Sequence, residues 1–550
     1  MNKALVSIFV WLVVAASGTA LELRGQVHTV DENGKQVPVA AANVRVEETR
    51  ATAVADASGH FVIDLPTAFR PGDVITLFAG TDDLVSMAGR VRIPKDPEAL
   101  VEIELVRKGS DRFLTDEGIV GIVFGMMDAM ARVADQSLEA EETYSFDLRA
   151  WMARYGLRFD EFQPAFDRWS RETRTSTDPL HRGLASFALG DLATAADAFA
   201  AAQETAATDD RRRAQELEYL VASLMQDHER AVRIARQFVQ QVSRTDNPYQ
   251  WARSQSRLGA ALGSLGIRVT PDKASALLEE SISAYRSALE VQTRDAFPDA
   301  RATTQNRLGM ILAEQGVRSS GDTRIQLLDQ SLEAFAASRQ VFTADAMTGR
   351  WLTIRQNEAR VLEGLGRSRD VADVLEGMLE VDPGNQEVSR QLVVLLHDTL
   401  FDYPRALEVV TTWANQENAH VRIVLHVLEI SFANRRFAAA LEIAEPLAAL
   451  ADDNPVFAVM LRGYRAASLL ALDRKDEAEA VLAGLAIYIE ALPVDFEPGW
   501  GYVGTRNFVE TNADLPYRDV MRALFVTLEA PDRDGLVEGL RGVQGQLSSR

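Results

Sequence analysis

The stretch QSRLGAALGSLGIR, at residues 255–268, is followed fifty residues later by QNRLGMILAEQGVR, at residues 305–318. Further matches at the same offset are Leu278 with Leu328 and Tyr285 with Phe335. So many matches at one offset indicate an internal repeat, and a period in this size range is typical of stacked structural units. The repeat therefore decides the fold.

The repeat continues on both sides of these two copies. A small or apolar residue recurs in the second predicted helix of each copy, at Ala195, Ala231, Ser281, Ser331, Val371, Ala406, Ala440 and Ala478. The separations are 36, 50, 50, 40, 35, 34 and 38 residues, and Val371 fits least well. In the first clear copy, Gly183 precedes Ala195, and Phe199 follows it. Small residues at these points indicate closely crossing helices, because larger side chains would hold the backbones apart.

This pattern resembles the tetratricopeptide repeat family over residues 181–492. The resemblance implies about eight antiparallel helix pairs stacked into a superhelical solenoid, two of them in an extended form of about 50 residues. In this family the first helices of successive pairs line a concave surface that holds peptides or partner segments.

Residues 493–550 depart from the repeat and are predicted to form a C-terminal helical cap. Helices are expected at 517–529 and 534–547, after a stretch to residue 511 that is rich in Pro, Gly and aromatics. The terminal unit of a solenoid must cover an otherwise open apolar face. Trp500, Tyr502 and Phe508 are therefore interpreted as cap residues, and a ligand-binding aromatic cluster is the alternative.

Residues 21–108 alternate between apolar and polar side chains in short runs that are typical of β-strands. The main runs are 21–30, 44–46, 61–63, 74–78, 91–93 and 101–106. Asn33-Gly34 indicates a hairpin turn, since both residues tolerate positive φ. Six or seven such strands predict a small β-sandwich. Residues 109–180 are then predicted to be a helical linker or N-terminal cap.

The turn and strand residues of this β-domain also form a pattern. They are Gly25-Gln26-Val27, Asn33-Gly34, Pro38-Val39, Ala42-Asn43-Val44 and Asp56-Ala57-Ser58-Gly59-His60-Phe61. The pattern resembles the carboxypeptidase regulatory-like, transthyretin-like domain, which implies a non-catalytic, seven-stranded Greek-key sandwich. The predicted fold class is multi-domain, a small all-β sandwich followed by an all-α tetratricopeptide-like superhelical solenoid.

Residues 1–20 have the features of a signal peptide. Lys3 supplies a positive charge, residues 4–16 form an apolar run, and Ser17-Gly18-Thr19-Ala20 offers small residues for cleavage. The apolar run is shorter than the roughly 20 residues of a membrane span. We predict cleavage after Ala20, with a retained N-terminal anchor as the alternative.

The chain contains no cysteine, and its 550 residues carry a formal net charge of -22. The absence of cysteine excludes disulfides, thiolate metal sites and the acylated cysteine of a bacterial lipoprotein. Export without disulfides favours a periplasmic or secreted bacterial protein, more readily a Gram-negative one. We expect no stable membrane insertion after signal cleavage. The acidic balance argues against nucleic acid, whose phosphates call for clustered Lys and Arg.

No catalytic, metal or cofactor motif is evident. The segment Gly499-Trp500-Gly501-Tyr502-Val503-Gly504 matches the letters of a dinucleotide fingerprint. No β-rich strand precedes it, however, and its aromatic side chains would obstruct a pyrophosphate. We predict no cofactor, no metal and no enzymatic activity.

The candidate partner-binding residues are those that the family pattern places on the concave face. They are Arg253, Ser256, Asn306, Gln356 and Arg360. Amides there can bond an extended peptide backbone, and arginines can pair with a carboxylate. The alternative is that these side chains bond between neighbouring repeats, since buried polar groups usually find partners within the fold.

An exported scaffold that binds a peptide or protein partner explains these features together. One alternative is a structural or assembly subunit of a bacterial cell-envelope complex. The other is an enzyme with an unrecognised site in 109–180 or 493–550. A peptide receptor should expose a continuous polar groove, whereas an assembly subunit should show a sizeable apolar patch. The partner and the oligomeric state stay open.

Overall fold

The computed structural model describes residues 21–49, 51–87, 89–136, 148–205, 207–415, 421–448 and 454–550. The predicted signal peptide and residues 137–147 of the predicted helical linker lie outside these ranges. Within them, nine β-strands precede twenty-two α-helices. The chain divides into two compact units between Thr343 and Ala344. The predicted fold class, a β-domain followed by tetratricopeptide-like helix pairs, is confirmed.

The first unit opens with the β-domain. Its strands are β1 (Leu21–Val30), β2 (Gln36–Pro38), β3 (Asn43–Val46), β4 (Thr52–Val54), β5 (His60–Leu65), β6 (Val74–Gly80), β7 (Leu84–Ser86), β8 (Gly89–Arg92) and β9 (Val101–Arg107). Their order is β2-β1-β9-β7-β6-β3-β4, with β5 paired to β1 and β8 to β6. The first half of β9 runs parallel to β1 and its second half pairs with β7, so β9 joins the two parts of the sheet.

Side-chain alternation builds the core of the β-domain. Leu23 and Val27 on β1 and Phe61 and Ile63 on β5 are buried and belong to one apolar cluster. The predicted turn at Asn33-Gly34 connects β1 to β2. Strands β2, β4 and β7, of three residues each, were not among the predicted runs. The resemblance of this domain to a particular family stays a prediction.

The rest of the first unit is helical. After a 3₁₀ turn at Asp111–Leu114 come α1 (Asp116–Gln136), α2 (Leu148–Ala153) and α3 (Phe159–Thr173). Four helix pairs follow, α4 (Pro179–Ala188) with α5 (Leu192–Thr205), α6 (Thr208–Leu224) with α7 (His228–Gln241), α8 (Pro248–Arg268) with α9 (Pro271–Leu289), and α10 (Pro298–Arg318) with α11 (Gly321–Arg339).

The second unit contains four more pairs and three terminal helices. The pairs are α12 (Thr348–Gly364) with α13 (Ser368–Val381), α14 (Gln386–Val394) with α15 (Tyr403–Ala414), α16 (Val421–Ala433) with α17 (Phe437–Ala448), and α18 (Pro455–Ala471) with α19 (Lys475–Glu490). A π-helical turn, Leu395–Thr399, extends α14. The terminal helices are α20 (Val503–Thr511), α21 (Arg518–Leu528) and α22 (Arg533–Ser548). Helix α20 was not predicted, because its Gly and aromatic content is typical of a loop.

The eight recurring small or apolar positions all lie on the second helix of a pair, and each is at most 3% exposed. The close approach predicted from glycine is also present. A methyl group added at Gly259 would stand 2.8 Å from the ring of Tyr285, and one at Gly309 would stand 2.7 Å from the ring of Phe335. The fifty-residue offset in the sequence is therefore a repeated packing contact.

Candidate functional site

Arg253, the first predicted binding residue, lies on α8 and pairs with a carboxylate of its own chain. Its Nε donates to Asp135 on α1 at 3.0 Å, and Arg257, one turn later, donates to the same carboxylate at 2.9 Å. Arg257 is 5% exposed. Burial opposes ionisation of Asp135, but the two guanidinium groups outweigh it and hold its pKa below the usual range.

Helix α1 makes similar contacts with the first helices on either side of α8. Arg213 of α6 pairs with Asp128 at 3.2 Å, and its guanidinium lies 3.6 Å from the ring centre of Phe124. On α10, Arg307 donates to the backbone carbonyl of Ala134 at 2.5 Å. Helix α1 therefore contacts α6, α8 and α10, the first helices of three successive pairs.

The β-domain covers a second part of the same helices. Phe69 packs against Tyr249 and Phe297, at the starts of α8 and α10, with ring centres 4.4 and 5.6 Å apart. Arg90 on β8 pairs with Glu216 on α6 at 2.6 Å. In the first unit, the first helices of the pairs are thus packed against the chain's own α1 and β-domain.

Ser256 and Asn306 are also engaged within the first unit. The Ser256 hydroxyl lies 3.2 Å from that of Thr304 and accepts from the Gln292 amide at 3.1 Å, so it bonds α8 to the next pair. Asn306 is fully buried, with its amide 3.6 Å from the sulfur of Met310.

Gln356 and Arg360 lie on α12 in the second unit and likewise have partners. The Gln356 amide donates to Gln391 on α14 at 3.2 Å, and Arg360 donates to the side chain of Asn357. All five predicted residues thus contact groups of their own chain, and Ser256 and Gln356 do so between neighbouring repeats. Whether any of them also contacts a partner stays a prediction.

The second unit holds a cleft of about 740 Å³ along its first helices. It is lined by side chains of α14, α16 and α18, by the end of α15, and by the segment before α20. Its aromatic lining residues are Trp413, His426, Phe457 and Trp500, and Arg390 and Asn454 add polar groups. This volume lies within the range of about 300–1,000 Å³ that is usual for ligand sites.

The aromatic rings form a continuous row. Trp413 stacks on His426 with ring centres 5.9 Å apart and planes 28° apart. His426 lies 5.6 Å from Trp500, and Phe457 meets the edge of Trp500 at 6.4 Å. Such rings offer a large apolar surface at low entropic cost, because each has only two side-chain torsions.

A buried carboxylate fixes this row. Glu429 is 5% exposed and accepts from the indole nitrogen of Trp500 at 3.1 Å. Its other oxygen lies 2.7 Å from Nδ1 of His426. Glu429 therefore fixes the positions of the Trp500 and His426 rings, so that the cleft is preorganised.

One polar group of the row is left without a partner. The indole nitrogen of Trp413 is buried and has no hydrogen-bond partner in the described part of the chain, and Trp413 itself is 5% exposed. An unpaired buried donor is costly.

The three C-terminal aromatics that were interpreted as cap residues differ in their burial. Tyr502 and Phe508 are 1% and 3% exposed and pack in the core of the second unit. Trp500 is partly exposed and lines the cleft. Trp413 was missed by sequence reasoning, because a lone tryptophan near a helix end carries no motif.

The described residues bring together no group of three or more His, Asp or Glu side chains that could hold a metal ion. Among the helices that the structure describes, none is long and apolar enough to span a bilayer.

Three solved structures of tetratricopeptide proteins are similar to this chain. The TPR protein TTC0263 of Thermus thermophilus is 16% identical, with a TM-score of 0.27 over 40% of this chain and 97% of that one. The TPR domain of P58(IPK) is 14% identical, with a TM-score of 0.19 over 68% and 98%. Yeast Tom70 is 11% identical, with a TM-score of 0.24 over 71% and 82%.

No family model matches the chain, and no curated protein matches it. Because the three structures share at most 16% identity with this chain and have TM-scores of at most 0.27, they carry no argument about the function of the cleft. That function is argued from the residues of the cleft alone.

Proposed function

We propose that this protein is a protein–protein interaction scaffold whose partner site is the aromatic cleft of the second unit. The partner is an extended protein segment that places an apolar or aromatic side chain against Trp413, His426 and Trp500. Arg390 and Asn454 supply polar contacts at the rim.

The preformed row of aromatic rings carries this proposal, because Glu429 fixes Trp500 and His426 beside a cleft of about 740 Å³. The contacts of the first unit also favour the cleft of the second unit over the residues predicted from the repeat. There, Arg253 and Ser256 already have partners on the same chain. A partner at Arg253 would first have to displace the Asp135 carboxylate of α1.

The proposal is tested by selecting peptides from a random library on the full-length protein. Selected peptides should share an aromatic or large aliphatic residue, and Trp500→Ala should abolish their enrichment. Trp351→Ala is the matched control, since Trp351 lies on α12 in the same unit and does not line the cleft. Peptides without a shared apolar residue, or equal enrichment on Trp500→Ala, would contradict the proposal.

We also propose that the scaffold acts outside the cytoplasm. The support is the sequence of residues 1–20, in which a positive charge is followed by an apolar run and then by small residues. Fractionation of cells that express the chain, with N-terminal sequencing of the product, tests this. A mature protein that begins at Leu21 in the periplasm or medium is the expected result, and an uncleaved cytoplasmic product is the opposite one.

A further inference from the structure

A groove of about 350 Å³ lies in the second unit between α13 and α15, the second helices of two successive pairs, and α14 also contributes to its lining. Its apolar lining residues are Leu379, Pro383, Leu392, Val409 and Trp413. The acids that line it are Glu376, Glu380 and Glu408, and none of its described lining residues is basic. This acidic groove therefore joins an apolar surface to a set of carboxylates.

Arg405 on α15 neutralises one of the three glutamates. Its guanidinium bonds Glu376 on α13 at 2.5 Å, and it lies 3.8 Å from Asp373 and 3.9 Å from Asp402. The charge of this guanidinium is therefore shared among three carboxylates. The bond to Glu376 also holds α13 and α15 together at the groove.

The other two glutamates of the acidic groove have no such partner. Glu380 and Glu408 are both exposed, and neither forms an ion pair with any residue in the described part of the chain. A lysine or arginine of a partner suits this surface, because its aliphatic stem can cover apolar residues while its charged head reaches a carboxylate. The net charge of -22 of the whole chain also attracts a basic segment over longer distances.

Trp413 connects the acidic groove to the aromatic cleft, because it lines both. The chain between the end of α13 and the start of α14 borders the two sites as well, since Pro383 lines the groove and Gln386 lines the cleft. The indole nitrogen of Trp413, which is buried and has no hydrogen-bond partner among the described residues, belongs to the residue that the two sites share. One extended segment can therefore occupy both sites.

We propose that the partner segment of the aromatic cleft is basic, with a lysine or arginine that enters the acidic groove and pairs with Glu380 and Glu408. The aliphatic stem of that side chain lies on Leu379 and Val409. The inference rests on the proposed function, since it names the chemistry of the same partner. Both glutamates repel an acidic segment, so the groove discriminates among segments that carry the same apolar residue.

Selection of random peptides displayed on phage, carried out on the full-length protein and on two variants, tests this inference. On the unaltered protein, the enriched peptides should carry a lysine or arginine at a constant separation from their shared apolar residue. The double variant Glu380→Gln/Glu408→Gln should enrich the apolar residue alone. The control Glu442→Gln/Glu538→Gln removes the same number of charges at exposed positions of α17 and α22, outside the groove, and should select as the unaltered protein does.

Fluorescence polarisation of one enriched peptide then measures the contribution of its basic residue. The Kd should rise by about fivefold in Glu380→Gln/Glu408→Gln, which is within the range of exposed ion pairs. Norleucine in place of the basic residue keeps the aliphatic stem. This change should raise the Kd equally for the unaltered protein and leave it unchanged for the double variant. The substituted glutamates are exposed, so we expect both double variants to fold.

The basic residue and the aromatic cleft can fail separately in these measurements. Enriched peptides without a shared basic residue would overturn the inference and leave the proposed function in place. A Kd that is unchanged in Glu380→Gln/Glu408→Gln while Trp500→Ala weakens binding would do the same. A Kd that is unchanged in Trp500→Ala would overturn the proposed function, and this inference with it.

Discussion

The hydroxyl of Ser281 donates a 2.6 Å hydrogen bond to the backbone carbonyl of Gly259. Ser331 makes the same bond to Gly309 at 2.7 Å, fifty positions later. Both hydroxyls are fully buried, between the first and second helix of an extended pair. The serine on the second helix of each extended pair is small enough to let the two helices approach. Its hydroxyl also bonds the backbone of the first helix.

Replacing Ser281 with alanine is expected to lower the free energy of unfolding of the first unit by about 1 kcal/mol, the net value of a typical buried hydrogen bond. Urea unfolding monitored by circular dichroism measures this. Ser283→Ala, at an exposed position of the same helix, is the control and should leave stability within about 0.5 kcal/mol. Equal effects of the two substitutions would show that the bond contributes nothing.

Gly259→Ala is expected to destabilise the first unit by about 1–3 kcal/mol, because the added methyl group would overpack the buried ring of Tyr285. This cost outweighs the helix propensity that alanine adds. Gly484→Ala, on α19, is the matched control. A methyl group there meets nothing within 4 Å, so this variant should gain about 0.5–1 kcal/mol. A gain in both variants would refute the close approach.

The close helix packing at Gly259 and Gly309 could be predicted from the sequence, because the repeat places these two glycines in equivalent positions. The partners of Arg253 could not. Asp135 is 118 residues away and lies in a segment without a repeat, so no local pattern joins them. The aromatic cleft was equally hidden, since Glu429 and Trp500 are 71 residues apart and belong to separate elements.

Removing the carboxylate of Asp135 should destabilise the first unit strongly, because it leaves Arg253 and Arg257 without their charge partner. For Asp135→Asn we expect a loss of about 2–4 kcal/mol, near the lower end for a broken buried pair because 22% of the side chain is exposed. Glu290→Gln breaks the exposed pair with Arg244 and should cost at most about 1 kcal/mol. Similar losses in the two variants would rule out the buried pair as the cause.

The second unit should lose stability as the pH rises above about 6.5, because His397 then loses its proton. Burial opposes protonation of this ring, but the hydrogen bond to Asp398 and the charge of Glu429 outweigh it and raise its pKa above 6.5. The folded state thus binds the proton more tightly, so the stabilisation is present below about pH 6.5 and is lost as the pH rises through the raised value.

Urea unfolding of the second unit between about pH 6 and pH 9, followed by tryptophan fluorescence, measures this effect. His397→Gln should flatten the pH dependence. His181→Gln, at an exposed histidine of the first unit, should leave it unchanged. A slope that persists in His397→Gln would assign the effect to another group.

The location of the partner site is tested most directly by titrating one selected peptide against variants of the two candidate surfaces. If the aromatic cleft of the second unit is the site, Trp500→Ala and Trp413→Phe weaken binding, the former by about tenfold or more, as for a buried aromatic hot spot. Ser256→Ala and Gln356→Ala leave the Kd unchanged. The opposite result, a Kd that rises in Ser256→Ala or Gln356→Ala and is unaltered in Trp500→Ala, would place the site on the residues predicted from the repeat and contradict the cleft.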